Sequence, residues 1–284
     1  MLTARVRGVE AYAATNDLSQ TGIQAALDRA EAQAQLIAAH SLLDLSHQAV
    51  SHECADYYSP NLDQAFPSLS ECFELLSAES ASVPNDERLA SWDVSLGLNH
   101  VEQIYLNSAG AQLRQAQRFV YPGISVTAYD GNDSQTRSLG RENFGQQGGA
   151  DVISRCGLIG AAPKVADQAL QLLLAPNTPQ GKRDLLLMPD QMILQIHESI
   201  GHPLELDRIL GDERNYAGTS FVKPSDFGHL QYGSHLLNVT FDPSLPEQLA
   251  SYSHDDDGTP AHKEFLIREG LLLRPLGGEL SQFR

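Results

Sequence analysis

Residues 99–139 constrain the fold of this chain more than any other stretch. Val101 to Asn107 alternates, with Val101, Gln103 and Tyr105 in one phase, and Ser108-Ala109-Gly110 turns the chain back into Ala111 to Phe119. Tyr121 to Tyr129 reads as a further strand. Asp130-Gly131-Asn132-Asp133 is a strong turn signal, and Ser134 to Leu139 is its partner. The expectation is an antiparallel meander.

Helical patterns flank it. Residues 4–14 read as one extended segment, and Asp17-Leu18-Ser19 offers a cap for a long helix from Thr21 to about Leu45, with Ile23, Ala26, Leu27, Ala30 and Ala34 at helical spacing. Residues 46–85 are mixed, punctuated by Pro60, Pro67 and Pro84, with a helix expected over Leu69 to Ala78. Gly145 to Gly149 reads as a flexible stretch. Ala162-Pro163 opens a helix to Leu174, and Pro176 to Gly181 is loop-like. Asp184 to Met188 reads as a short buried strand, Pro189-Asp190 as a helix start, and residues 191–202 as a helix. Gly211 to Gly233 is irregular. Leu236 to Phe241 is a strand, and Phe265 to Leu273 a hairpin around Glu269-Gly270. The fold class expected is α+β. Residues 1–178 form an N-terminal domain of long helices packed on an antiparallel sheet, and residues 179–284 begin a mostly β C-terminal domain.

Composition narrows the function classes. The 284 residues are 42% hydrophobic, enough for a core and for two domains. Lys and Arg number 19 against 36 Asp and Glu, a net charge of −17, and basic residues cluster no further than pairs such as Lys182-Arg183. Phosphate contact supplies most nucleic-acid affinity, so DNA and RNA are disfavoured as direct partners, and an anionic membrane surface for the same reason. No apolar run approaches the roughly 18 residues of a membrane span, and no apolar core follows the first arginines as in a signal peptide. Cys54, Cys72 and Cys156 are too few and too scattered for a disulfide framework. A reducing, cytoplasmic location is the simplest reading.

One motif carries chemistry: His197-Glu198-Ser199-Ile200-Gly201-His202. A metal hydrolase needs two or three ligands and a general base beside the bound water. At i and i+5 the two imidazoles stand about 140° apart on an ideal α-helix, each residue turning about 100°. A π-bulge, or a helix end unwinding at Gly201 before Pro203, brings them to a common face. His197 and His202 then bind zinc, Glu198 takes the proton from zinc-bound water and passes it to the leaving amine, and Glu205 orients a ligand imidazole. Isolated, such a motif is usually chance. The apolar run Asp184 to Ile196 before it implies a buried helix, a poor place for unpartnered imidazoles.

The run His197 to Glu205 resembles the signature of the TldD/PmbA family of zinc metallopeptidases, an HExxxH motif with Gly before the second His and an acidic residue three later. Gly8 to Ser19 with the Ala-rich helix, Gly218-Thr219-Ser220, Asp256-Asp257-Gly258-Thr259-Pro260 and Leu266-Ile267-Arg268-Glu269-Gly270 resemble other family segments, so the likeness covers nearly the whole chain. It implies a cytoplasmic peptidase cutting short or unfolded peptides inside a dimer, either a homodimer or a heterodimer with a TldE/PmbA-like subunit. The family also carries a label as a modulator of DNA gyrase, to which the acidic balance lends no direct DNA binding. The family's third zinc ligand is a Cys downstream of the His pair, and here no Cys follows Cys156. Family chains are also longer at both ends. The expectation is a fragment or shortened form, and the alternative function is a non-catalytic subunit that acts by association.

Other candidates read as structural. Cys156 is expected to be a buried thiol, His52-Glu53-Cys54 a chance cluster, and His254-Asp255-Asp256-Asp257 a solvated acidic loop without EF-hand spacing. His229 and His235 have no evident partners. No nucleophile elbow or phosphate-binding loop is present.

Overall fold

The computed structural model of the protein describes residues 1–41, 50–140 and 145–283. Two compact units emerge, one of Met1–Ser51 with Gly277–Arg284, the other of His52–Leu276.

In the first unit, β1 (Leu2–Val6) and β2 (Val9–Ala13) pair antiparallel from Val6 opposite Val9. Residues 4–14 are therefore not one extended segment. Arg7 (φ 51°) and Gly8 (φ 78°) make a two-residue turn of the twist that hairpins favour. Helix α1 (Gln20–Ala38) starts where Ser19 Oγ accepts the Gly22 N–H at 3.1 Å, with Asp17 accepting the Ser19 N–H at 2.9 Å. Its Ala30 and Ala34 bury against Ala4 and Ala11 of the hairpin, small side chains allowing close approach. The expected extension of α1 to Leu45 falls partly outside the described residues.

The second unit is built on two strands of 18 residues each, β4 (Leu89–Leu106) and β5 (Gln112–Tyr129), paired antiparallel along nearly their full length. The two strands expected over 111–129 are one. β6 (Ser134–Gly140) and the short β7 (Gln146–Gln147) pair antiparallel with β5. β3 (Cys54–Tyr58) pairs parallel with β5 from Cys54 opposite Gln112, so the sheet is mixed rather than a pure meander. β3 lies in the mixed 46–85 stretch, where a five-residue strand with little apolar alternation leaves no periodic signal. Helix α2 (Leu69–Ala81) carries a capping box between Ser68 and Glu71. A short α3 spans Asp151–Arg155. Helix α4 (Ala162–Leu174) lays Val165, Ala166 and Ala169 on Ile124, Val126 and Ala128 of β5, forming the main core. Burial of the larger of these side chains contributes roughly 1.5–3 kcal/mol each.

Gly145 to Gly149 is not flexible. Gln147 is fully buried, its Oε1 accepting from Ser59 Oγ (2.6 Å) and Tyr57 Oη (3.2 Å) and its Nε2 donating to Ser251 O (2.7 Å). A buried amide with every polar atom satisfied fixes its segment. Gln115 of β5 does the same for residues 253–254, donating to His254 O at 3.0 Å and accepting the Ser253 N–H at 3.0 Å.

Beyond residue 180 come α5 (Pro189–Ile196), α6 (Leu206–Leu210) and a three-stranded antiparallel sheet in the order β10-β9-β8, from β8 (Val239–Phe241), β9 (Glu264–Arg268) and β10 (Leu271–Leu272). Glu269 (φ 51°) and Gly270 (φ 79°) turn β9 into β10 as the sequence predicts. A Cβ at Gly270 would meet Gly233 O at 2.4 Å, so only glycine fits. Ile267 and Leu272 of this sheet enclose Ile200 and Leu204, which tie the HExxxH segment to a core of its own. A five-residue helix α7 (Glu279–Phe283) belongs to the first unit.

Candidate metal centre

The residues before the motif are not buried. Asp184 to Met188 forms no strand, and Leu185 and Leu186 are 79% and 88% exposed. Helix α5 starts with Pro189 at its first position, as expected, but buries no residue, and Ile193, Leu194 and Ile196 stand exposed. The imidazoles therefore stand at the end of an exposed helix, where burial demands no partner, and it is the backbone geometry that pairs them.

At His197 the helix changes pitch. His197–Gly201 is one turn of π-helix, closed by the His202 N–H reaching His197 O, and His202–Leu204 tightens into a 3₁₀ turn that the Glu205 N–H closes on His202 O at 3.3 Å. The π-turn brings the two imidazoles to one face, their ring centroids 4.3 Å apart and their planes at 75°. One ligand atom from each of His197, Glu198 and His202 lies within 4.8 Å of the others. His197 Nε2 stands 3.9 Å from Glu198 Oε1. The side chains of His197 and Glu198 are exposed, so the face opens outward, while His202 is one-third exposed.

His202 is held from behind. Its Nδ1 lies 2.8 Å from Glu205 Oε1, so an Nδ1–H donates to the carboxylate and Nε2 is left free for a metal. Arg208 donates from Nε to Glu205 Oε2 at 2.9 Å and from Nη1 to Ala217 O at 3.2 Å, and pairs with Glu213 at 3.2 Å. Its Nη2 also stands 3.3 Å from His202 Nδ1. A guanidinium cannot accept, so this longer contact and the Glu205 bond require opposite tautomers, and the shorter, charge-assisted bond decides. Glu205, Asp207 and Glu213 form a second acidic group with metal-like spacing, and Arg208 paired with two of its members accounts for it.

The donor set fits a metal: two imidazoles on one face, one with its tautomer fixed, and a carboxylate alongside. Sequence reasoning missed Arg208 and also Tyr232. The Tyr232 hydroxyl donates to Ser199 O inside the motif, and burial pushes its phenol above the usual range. Tyr232 follows Ser199 by 33 residues, and no local spacing announces it.

The remaining candidates are structural. Cys156 is half-buried, donates to Ile153 O at 3.2 Å, and burial raises its thiol. His52 Nδ1 meets Ala109 O at 2.9 Å and the Cys54 thiol faces Gly110 O, so both serve the turn between β4 and β5. In the acidic loop, Asp255 accepts the N–H groups of Asp257 (3.0 Å) and Thr259 (2.8 Å).

A π-turn that presents paired imidazoles and a carboxylate from one helix, backed by a carboxylate on the second imidazole, is an arrangement of the metallopeptidase kind. The chain belongs to the PmbA/TldD metallopeptidase family. The profile described as the PmbA/TldA metallopeptidase central domain matches residues 62–174, and that of the C-terminal domain matches residues 180–277. A metalloprotease of Methanothermobacter thermautotrophicus is 27% identical over 180 residues, 63% of this chain and 37% of that protein. A metalloprotease of Methanocaldococcus jannaschii is 27% identical over 188 residues, 66% of this chain and 39% of its own length. The chain thus matches about two fifths of the length of these relatives. Among solved structures, a protein described as a modulator of DNA gyrase from Bacteroides thetaiotaomicron superposes with a TM-score of 0.73 at 16% identity, covering 99% of this chain and 62% of that one. TldE from Thermococcus kodakarensis gives 0.63 at 14%, covering 99% and 60%. At such identity these two speak for the fold alone. Among the described residues no helix is long and apolar enough to cross a membrane.

Proposed function

We propose that this chain is the metal-helix portion of a zinc-dependent peptidase that hydrolyses short or unfolded peptides. The observation that carries the reading is the π-turn, which gathers donor atoms of His197, Glu198 and His202 within 4.8 Å of one another. Membership of a family whose relatives are metalloproteases supports it. His197 and His202 hold the metal, through Nε2 in the case of His202. Bound zinc supplies Lewis acidity to the scissile carbonyl and to the attacking water. Glu198, exposed beside His197, takes the proton from water and delivers it to the leaving amine. Glu205 fixes the His202 tautomer.

The division of the chain near residue 178, at the exposed Pro176–Gly181 loop, belongs to the same proposal, as does a cytoplasmic location, with which three free cysteines agree. So does a dimer, with a second copy or a TldE-like subunit. Leu185, Leu186, Met188, Ile193 and Leu194 form an exposed apolar run just ahead of the metal face, and such patches mark contact surfaces.

Elemental analysis of the purified chain beside His197→Ala tests the metal. About one zinc per chain, lost in the variant, is expected from a two-imidazole site. In the peptide assay, Glu198→Gln is expected to keep zinc and lose about 10²–10⁴-fold in turnover. A second reading, a non-catalytic subunit, is favoured by the absence of a thiol from the cluster among the described residues. Zinc bound stoichiometrically with no hydrolysis of unfolded peptides would select it. No zinc in either protein would overturn the metal reading of this chain.

A further inference from the structure

We propose that Tyr232 is a positioning residue for the metal face: its hydroxyl holds the π-turn in the shape that aligns His197 with His202. The inference rests on the metal reading above and adds to it a residue outside the motif.

The need for such a residue is written in the covalent chemistry of the motif. In a continuing α-helix the carbonyl of Ser199 accepts from the N–H four residues on. That residue is Pro203, which has none. Pro203 thus removes the α-helical donor of the Ser199 carbonyl at the point where the helix changes pitch. Ser199 is itself half-buried, between the exposed Glu198 and the buried Ile200. A partly buried carbonyl without a donor is costly, and a backbone left that way is free to slide toward other hydrogen-bonding patterns.

Tyr232 supplies the missing donor, its Oη bonding Ser199 O. The phenol is itself held. Its backbone N–H donates to Gly270 O at 2.7 Å, at the turn that only glycine can make, and its ring packs in the core that encloses Ile200 and Leu204, 5.7 Å from the Phe221 ring. A second hydroxyl grips the other side of the break: Ser220 Oγ donates to Pro203 O at 2.6 Å while accepting the Val222 N–H at 3.0 Å. Beyond it, the Leu276 N–H bonds Leu204 O at 2.8 Å. The π-turn and 3₁₀ turn are therefore clamped from outside at Ser199, Pro203 and Leu204. The Ser199 clamp is the one that lies between the two imidazoles in sequence. Among the described residues the hydrogen bonds and ring contact of Tyr232 go to Ser199, Gly270 and Phe221, so it acts through the backbone that carries the ligands.

The test is a Co²⁺ titration followed by visible absorption, on the wild-type chain, on Tyr232→Phe, and on both in a Pro203→Ala background. Phenylalanine keeps the ring and its packing and removes only the donor. Co²⁺ affinity is expected to fall by about 10-fold or more, the range seen when groups that orient metal ligands are removed. Pro203→Ala supplies the backbone N–H that an α-pitched turn would direct at Ser199 O, so in that background Tyr232→Phe is expected to cost far less. Unchanged affinity in Tyr232→Phe overturns the proposal. So does an equal loss in both backgrounds, which would mean that the hydroxyl acts through a group other than the Ser199 carbonyl. A metal-free readout separates this inference from the metal reading. With ¹³C-carbonyl serine, the Ser199 resonance is expected to move upfield in Tyr232→Phe as its hydrogen bond is lost. If the wild-type chain takes up no Co²⁺, the metal reading fails and the positioning role with it, while a moved resonance still establishes the Tyr232 contact. A resonance that stays put overturns the contact itself.

Discussion

His197 and His202 are five residues apart, yet their ring centroids are 4.3 Å apart, because the His202 N–H bonds His197 O and closes a π-turn between them. Gly201 lies inside that turn, and the sequence suggests that its freedom allows the break. The structure gives another cause. Gly201 sits at φ −54° and ψ −72°, a conformation open to any L-residue, and a Cβ there would meet only Ile196 O at 3.8 Å. The break comes from Pro203 and the external clamps. Gly201→Ala is therefore expected to raise unfolding free energy by about 0.4–1 kcal/mol through lost freedom of the unfolded chain. Urea denaturation checks it, and a loss of stability would show that the turn does need glycine.

Glu205 joins His202 to Arg208, with bonds of 2.8 and 2.9 Å to its two oxygens. Removing it frees the imidazole to rotate or change tautomer. Arg208 keeps its pairing with Glu213 and its bond to Ala217 O, so the cost falls on metal binding before it falls on folding. Glu205→Ala is expected to weaken Zn²⁺ binding by about 10–100-fold, and Glu205→Gln, which still accepts from Nδ1–H, by less. Competition with a chromophoric chelator measures both. Equal affinities in all three proteins would remove Glu205 from the site.

Much of this is legible in the sequence, and the failures have physical causes. Helix α4 begins and ends where Ala162-Pro163 and the loop at Pro176 predict, because an amphipathic period and a proline start are local signals. The turn at Glu269-Gly270 is local as well. The strand β3 is invisible in the sequence because its place is fixed by pairing with Gln112–Ala116, more than 50 residues away. Asp184–Met188 misleads because apolarity predicts burial only if something packs on it, and Leu185 and Leu186 stand uncovered within this chain. At the metal centre the i, i+5 spacing names the candidates and requires a π-bulge or an unwound end, and the structure has the π-turn. Tyr232 is out of reach, since a contact across 33 residues places it, whereas Arg208 stands three residues after Glu205, the spacing of a local helical ion pair that the sequence does offer.

Asp86 gives a pH-dependent prediction away from the site. Arg88 grips its carboxylate with Nε at 3.0 Å and Nη2 at 2.7 Å, and its backbone N–H adds a third bond at 2.9 Å. The Arg88 side chain first, then that N–H, lower the Asp86 pKa from 3.8 to about 2. A depressed folded-state pKa contributes stability that is fully present above the unfolded value and is lost as pH falls through the folded one. The melting temperature of wild type is therefore expected to exceed that of Asp86→Asn above about pH 4, with the gap closing toward about pH 2. Both groups are solvent-accessible, so the gap is small and shrinks further in high salt. A gap that widened on acidification would refute the assignment.

Glu79 makes the sharpest stability prediction. It is a carboxylate on α2 with only 6% of its surface exposed, and it serves another helix. Its Oε2 accepts the Gly160 N–H and its Oε1 the Ala162 N–H, each at 2.7 Å, at the start of α4. No side chain from the Ala161 cap position reaches those groups, because alanine has no acceptor. Glu79 thus caps α4 from a distance, and its negative charge lies at the positive end of the helix dipole. Glu79→Ala leaves the N–H of buried Ala162 without an acceptor, at about 1–3 kcal/mol, and turns that of exposed Gly160 to water, for an expected loss of about 2–3 kcal/mol. Glu79→Gln keeps one acceptor oxygen and places an NH₂ against an N–H, so it is expected to lose an intermediate amount, about 1–2 kcal/mol. Urea denaturation of the three proteins gives the ranking wild type, Gln, Ala. If Glu79→Ala unfolded with the wild-type midpoint, water would have to replace both bonds, and the cap would be incidental to the packing of α4 on β5.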